Sequence, residues 1–195
     1  MPDRRRLYRV FAHRPRTRPG GPGHATYAPP GQTAGRWDNA SAYTIWYTST
    51  TPAGAVGEAF GDIAMWSADM LETPYLPGAR RALATFELAR EARLCDLDDA
   101  ATLLDLGIKP SQVVIRDPSV TQPLALRLYR EPGLSSRHQF HGLTWWSFHR
   151  PEWTNVAVWA PLSNPCPLKL LRTEPLTLDH PALKDAAHAL TRPLG

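Results

Sequence analysis

The pattern of apolar and β-branched positions predicts a series of short strands. Residues 7–11 are apolar around a single arginine, which is typical of a strand. Residues 42–49 combine aromatic and β-branched side chains and are the clearest strand in the chain. Further strands are predicted at residues 82–88, 142–148, 155–160 and 168–172.

Helical spacing of apolar residues appears between these strands. Two threonines and a proline at residues 50–52 are typical of a helix start. The apolar residues that follow at helical spacing are Val56, Phe60 and Ile63, and they extend this helix to about residue 70. Further helices are predicted at residues 96–106 with Asp96 as the cap, at 121–129, and from His180-Pro181 to about 190.

These elements indicate an α+β fold in one domain that spans residues 1–195. A chain of 195 residues suits one domain with one core, and its twenty prolines favour short elements and many loops. Residues 13–35 are rich in proline, glycine and arginine and lack periodicity, so we expect a basic loop there. A loop of this length in a compact domain is uncommon unless it moves or covers a site.

The positive charge of the chain is concentrated at one end. Residues 1–20 hold seven arginines and one aspartate and therefore carry a net charge of +6. The remaining residues carry −2, which gives the chain its net charge of +4. A solvated terminus is favoured over a phosphate-tracking face, and direct nucleic-acid binding is only weakly supported. A non-enzymatic nucleic-acid-binding module that uses this terminus and exposed tryptophans stays as an alternative.

Composition also bears on the cellular compartment. No apolar run approaches the roughly 18–20 residues of a membrane span, and the basic start is not followed by an apolar secretory segment. Cys95 and Cys166 lack the spacing of a disulfide or zinc motif, which favours reduced thiols. We therefore expect a cytoplasmic protein that does not associate with membranes.

Common catalytic and metal signatures are missing from the sequence. It has no nucleophile elbow, no P-loop, no zinc-protease motif and no dinucleotide-binding glycine fingerprint. His138, His141 and His149 lie close together, but no acidic residue or cysteine accompanies them at a matching distance. A surface or packing role is favoured for these histidines, and no metal is expected.

One set of motifs does form a recognisable order. The pieces are Tyr8-Arg9, Gly35-Arg36-Trp37, Tyr47-Thr48-Ser49, Glu58 in the helix after Pro52-Ala53, and Trp146-Ser147. In this order and spacing the sequence resembles the RES domain family, which is named for its arginine, glutamate and serine. The resemblance covers about residues 7–160. Residues 38–41 read Asp-Asn-Ala-Ser where the family usually has Asn-Pro-Pro-Gly, and Ser135 and Ser136 lie near Ser147 as alternatives for the serine.

The resemblance implies a fold and an activity. The fold would be similar to that of ADP-ribosyltransferases, with short strands in two small sheets, flanked by helices, around a cleft. The activity would be that of a toxin that consumes NAD as its substrate, by phosphorolysis, by hydrolysis or by transfer of ADP-ribose to a protein. The partner would be an antitoxin of the helix-turn-helix Xre class, through which alone nucleic acid would be contacted.

The chemistry of NAD cleavage gives each matched residue a role. The reaction passes through an oxocarbenium-like transition state, and nicotinamide leaves as a neutral molecule. Arg36 and Arg9 suit the phosphates, Tyr47 suits the cationic ring, and Glu58 suits the developing positive charge. Ser147 could orient the nicotinamide ribose or a phosphate acceptor.

Each of these residues also has an ordinary structural interpretation. An arginine or glutamate is usually a surface residue, a strand tyrosine usually packs in the core, and a serine can simply end a strand. Trp145, Trp146 and Trp159 are expected in the core rather than in the site. A catalytically inactive relative that serves as an interaction domain is a further alternative to the enzyme.

Overall fold

The computed structural model describes residues 5–131, 139–162 and 164–195. Its strands are β1 (Arg6–His13), β2 (Tyr43–Ser49), β3 (Arg80–Glu87), β4 (Leu94–Asp96), β5 (Gly142–Trp146), β6 (Thr154–Pro161) and β7 (Lys169–Pro175). Its helices are α1 (Pro52–Phe60), α2 (Ala100–Asp105), α3 (Pro110–Val114), α4 (Pro118–Arg130), α5 (Pro181–Ala189) and a 3₁₀ helix at Ala68–Leu71. The predicted α+β class is confirmed.

The strands form one sheet of seven in the order β4-β5-β6-β2-β1-β3-β7. The expectation of two small sheets is corrected in this respect, because β1 and β2 join the two halves. That junction consists of the pair Tyr8↔Ser49, whereas β1 runs beside β3 from Arg6↔Glu87 to His13↔Arg80. Beyond this pair, β1 and β2 diverge, which leaves room for a cleft between the two halves of the sheet.

Helices cover the sheet and bury three apolar clusters. α2, α3 and α4 pack on β2, β5 and β6, and α1 and α5 pack on β1 and β3. A third cluster joins the other face of β1 and β3 to Trp46 and to Ala25 of the loop between β1 and β2. The hydrophobic burial in these clusters fixes the sheet and hence the position of the cleft.

The first helix is shorter than its apolar periodicity predicts. It begins as predicted, with the Thr51 side chain accepting a hydrogen bond from the Gly54 amide at 3.0 Å, but it ends at Phe60 rather than near residue 70. The carbonyl of Phe60 accepts hydrogen bonds from the Ile63 amide and from Nε1 of Trp66, which is fully buried. These bonds turn the chain away from the helix, and Ile63 is left partly exposed.

The predicted helix at residues 96–106 divides into a strand and a shorter helix. Asp96 ends β4, where residues 94–96 pair in parallel with β5, and Thr144 Oγ1 donates a hydrogen bond to Asp96. The cap of α2 is instead Asp99, whose Oδ2 accepts a hydrogen bond from the Thr102 amide at 2.8 Å. Pairing with a strand almost fifty residues away overrides the local capping signal.

Candidate functional site

Two adjoining cavities open where β1 and β2 part, and together they are called the cleft here. The first has a volume of about 200 Å³ and is reached by Arg9, and the second has about 240 Å³ and is reached by Arg36. The side chains that line both cavities are Tyr47, Glu58, Trp145 and Asn155. The fold thus brings four of the five predicted site residues to one cleft.

The fifth residue, Ser147, lies behind Glu58 and is fully buried. Its hydroxyl donates a hydrogen bond to Oε1 of Glu58. Oγ of Ser147 in turn accepts hydrogen bonds from the amides of His149 at 3.1 Å and Arg150 at 3.3 Å. Ser147 therefore contacts the glutamate from its buried side, and its contact with a ligand stays a prediction. The alternatives Ser135 and Ser136 lie outside the described residues.

Tyr47 offers its ring to the cleft while its hydroxyl is engaged elsewhere. The hydroxyl donates a hydrogen bond to Oδ1 of Asp38 at 2.7 Å and accepts one from the Trp37 amide at 2.9 Å. Burial, with the neighbouring Asp38 carboxylate, raises the pKa of Tyr47 well above its usual value. The tyrosine is therefore neutral, and these two bonds fix the plane of its ring.

The turn that carries Arg36 is fastened to both β2 and α4. Asp38, which is 4% exposed, accepts a hydrogen bond from the Gly35 amide through its second oxygen. Thr121 Oγ1 donates to the carbonyl of Arg36 at 2.5 Å, and Gln122 Nε2 donates to the carbonyl of Gly35 at 3.0 Å. The arginine is thus presented from a rigid turn.

The guanidinium group of Arg36 has donors that no protein group satisfies within the described parts of the chain. Its Nε and Nη2 atoms are buried without a hydrogen-bond partner, and the group lies 4.7 Å from the Trp37 ring centroid. Burial lowers the pKa of Arg36, Arg116 lowers it further, and Glu58 opposes the shift. A buried cation with free donors favours an anionic ligand, because unmade hydrogen bonds to a buried group are costly.

Arg9 connects the cleft to the long loop between β1 and β2. Its Nη1 atom donates to the carbonyls of Ala25 at 3.2 Å and Tyr27 at 3.0 Å, and burial lowers its pKa. Residues 14–42 contain no helix or strand, and this contact anchors them over β1. Arg9 therefore both anchors the loop and lines the first cavity.

Trp145, Asn155 and His149 are among the cleft residues that were not predicted from the sequence. Trp145 was expected only in the core, and it does pack edge-on against Trp37, but it also lines both cavities. Asn155 is 2% exposed, and its Oδ1 atom has no hydrogen-bond partner in the residues the structure describes. His149 lines the second cavity. Strand periodicity could have identified Trp145, because residues 145 and 147 are two apart and so point to the same face of a strand. Asn155 could be identified only from its pairing with Trp145 in the sheet.

Two of the three histidines considered for a metal site, His141 and His149, have different neighbours in the structure. His138 lies outside the described residues, and Nδ1 of His141 accepts a hydrogen bond from the Arg93 amide at 3.1 Å, next to β4. Across residues 5–131, 139–162 and 164–195, no set of three or more histidine, cysteine, aspartate or glutamate side chains is arranged to hold a metal ion.

Comparisons with known proteins identify a family and a similar fold. The family model described as the RES domain matches residues 6–179. The fold is similar to a chain in the crystal structure of the M. tuberculosis MbcT-MbcA toxin-antitoxin complex, with a TM-score of 0.60 and 16% sequence identity over 94% of this chain and 88% of that one. No curated protein sequence matches significantly. Within the described chain, no helix is both long and apolar enough to cross a membrane.

Proposed function

Since this chain belongs to the RES domain family, we propose that it is a toxin enzyme that cleaves the bond between nicotinamide and ribose in NAD. The observation that carries the proposal is the meeting of Tyr47 and Glu58 in the cleft, with Arg9 and Arg36 each reaching one of its cavities. A dinucleotide has an aromatic cation, a sugar and a diphosphate. An aromatic ring, a carboxylate and two guanidinium groups match those parts.

The bond that breaks joins C1′ of the ribose to the ring nitrogen of nicotinamide. Its electron pair goes to that nitrogen, which becomes neutral, and positive charge develops on the ribose. Glu58 stabilises this charge with its carboxylate. An acceptor then bonds to C1′: water or a protein side chain releases its proton to solvent, whereas an anionic phosphate oxygen bonds without losing a proton.

Three residues around Glu58 position its carboxylate and bind the leaving nicotinamide. Ser147 acts as a positioning residue, because its hydroxyl holds the Glu58 carboxylate from the buried side. The Tyr47 ring stacks on the nicotinamide. Asn155 contacts the nicotinamide carboxamide, since its buried amide oxygen has no partner in the described protein and a carboxamide N–H would satisfy it.

The acceptor in the proposed reaction is phosphate, water or a protein side chain. Purified protein incubated with NAD, with and without inorganic phosphate, distinguishes these acceptors when the products are separated by chromatography. Phosphorolysis gives ADP-ribose with a phosphate on C1′ of its ribose, and hydrolysis gives free ADP-ribose. Transfer attaches ADP-ribose to proteins of an added lysate. A non-enzymatic nucleic-acid-binding module would release no nicotinamide and would instead bind nucleic acid with an affinity that falls steeply with salt.

The proposal includes a neutralising partner and a cytoplasmic site of action. The similar fold in the M. tuberculosis complex is that of a chain in a toxin-antitoxin pair, which supports an antitoxin partner for this chain as well. We place that partner in the Xre class, and nucleic acid would be contacted through it. Co-expression with the neighbouring reading frame tests this, since a cognate antitoxin would restore growth and co-purify with the protein.

A further inference from the structure

A third cavity, called the distal cavity here, continues from the cleft along β1. It has a volume of about 450 Å³ and shares Arg9 and Val10 with the first cavity. The first cavity follows Tyr8 to Val10, and the distal cavity follows Arg9 to Ala12. Together they trace four residue steps of a strand, or about 13 Å, which is long enough for more than one half of a dinucleotide.

The lining of the distal cavity is aromatic and cationic. It includes His24 and Tyr27 from the long loop, Tyr75 from the segment before β3, and Arg81 from β3. The Arg81 guanidinium lies 5.6 Å from the ring centroid of Tyr75, and Nε of Arg81 is buried without a partner in the described chain. Burial and the nearby His13 lower the pKa of His24, which favours its neutral ring.

These side chains suit a flat heterocycle that carries a phosphate. Aromatic faces and guanidinium planes stack on nucleobases of any sequence. Tyr75 is 65% exposed, so a large aromatic side chain stands at this cavity with much of its surface uncovered. Arg9 lines both cavities, so a ligand that occupies both would carry its diphosphate past this residue.

We infer that the distal cavity binds the adenosine half of the dinucleotide, with the adenine stacked against Tyr75. The inference rests on the proposed function, and it assigns the remaining half of the substrate to residues outside the motif positions. Nicotinamide ribose then lies in the first cavity beside Glu58, and the diphosphate lies beside Arg9.

Two substrates with the same scissile bond test this assignment. NAD and nicotinamide mononucleotide both release nicotinamide, but only NAD carries adenosine. The Tyr75→Ala variant should lower the ratio of kcat/KM for NAD to that for the mononucleotide about tenfold, as loss of one base stack predicts. Tyr75→Phe, which keeps the ring, should retain the wild-type ratio. Arg81→Gln should lower the ratio in the same direction.

The remaining outcomes either contradict the inference or separate it from the proposed function. An unchanged ratio in both Tyr75→Ala and Arg81→Gln, measured on variants with wild-type thermal unfolding, would show that adenosine does not bind there. If the wild-type protein releases nicotinamide from neither substrate, the proposed function has failed, and calorimetric titration with adenosine 5′-monophosphate decides the question. If adenosine 5′-monophosphate binds and Tyr75→Ala weakens its binding, the assignment of adenosine to the distal cavity is still supported. If it does not bind, the assignment is overturned.

Discussion

Ser147 donates a hydrogen bond to the carboxylate of Glu58, although 89 residues separate the two in the chain. Glu58 is exposed toward the cleft, and Ser147 is fully buried behind it. The contact therefore joins α1 to the segment after β5 and leaves the carboxylate facing the two cavities.

Replacing Ser147 with alanine should lower kcat more than it changes KM. The carboxylate loses a charged hydrogen bond and its fixed orientation, which together correspond to about a tenfold or greater loss of kcat. The amides of His149 and Arg150 lose their acceptor as well, so the free energy of unfolding should fall by about 1–3 kcal/mol. Steady-state kinetics below the unfolding temperature separate the two effects. A rise in KM with unchanged kcat would mean that Ser147 acts on substrate binding instead.

Two variants of Tyr47 separate the functions of its ring and its hydroxyl. Tyr47→Phe keeps the ring in the cleft but leaves Asp38 and the Trp37 amide without their partner, so it should cost about 1–3 kcal/mol of stability and little catalysis. Tyr47→Ala removes the ring and should raise KM for NAD about three- to thirtyfold. Chemical denaturation and kinetics measure the two results. An unchanged KM for NAD in Tyr47→Ala would rule out stacking on the nicotinamide.

Arg36→Ala should weaken NAD binding, because it removes the guanidinium donors that are left unpartnered in the cleft. We expect at least a tenfold rise in the dissociation constant, and Arg36→Lys should recover little of it, since lysine lacks the planar pair of donors. The exposed Arg90, which does not line the cleft, gives the matched control Arg90→Ala. Calorimetry with a non-cleavable NAD analogue measures the affinities, and a similar loss in Arg90→Ala would point to general charge attraction.

Asn155→Ala should change the choice between NAD and its nicotinic acid analogue. The wild-type amide satisfies a carboxamide, whereas the analogue presents a carboxylate, so we expect about tenfold or greater preference for NAD. In Asn155→Ala that preference should largely disappear. Competition kinetics with both dinucleotides measure it, and an unchanged preference in the variant would remove Asn155 from the nicotinamide subsite.

Local signals predicted much of the fold. The caps at Thr51 and His180 mark the starts of α1 and α5 where the structure has them, because a side-chain acceptor before a proline stabilises the first turn without distant help. Six of the seven strands lie within about three residues of their predicted ends, since alternation between the faces of a sheet is read directly from the sequence, whereas β4 was not predicted.

Features that depend on distant contacts were not accessible from the sequence. The end of α1 is set by the buried indole of Trp66. Asp96 lies in a strand instead of capping a helix because residues 94–96 pair with β5. The role of Ser147 depends on the approach of α1, and the place of Asn155 depends on strand register. The predicted motif residues meet in space, but what each one touches is determined by tertiary packing.

The most direct test of the account is nicotinamide release from NAD by the wild-type protein and by Glu58→Gln, with Glu91→Gln as the control. Glu91 is an exposed glutamate that does not line the cleft. The account predicts release by the wild type and by Glu91→Gln, and at least a hundredfold lower kcat in Glu58→Gln with NAD binding largely retained. Wild-type turnover by Glu58→Gln would contradict it, as would the absence of nicotinamide release by the folded wild-type protein.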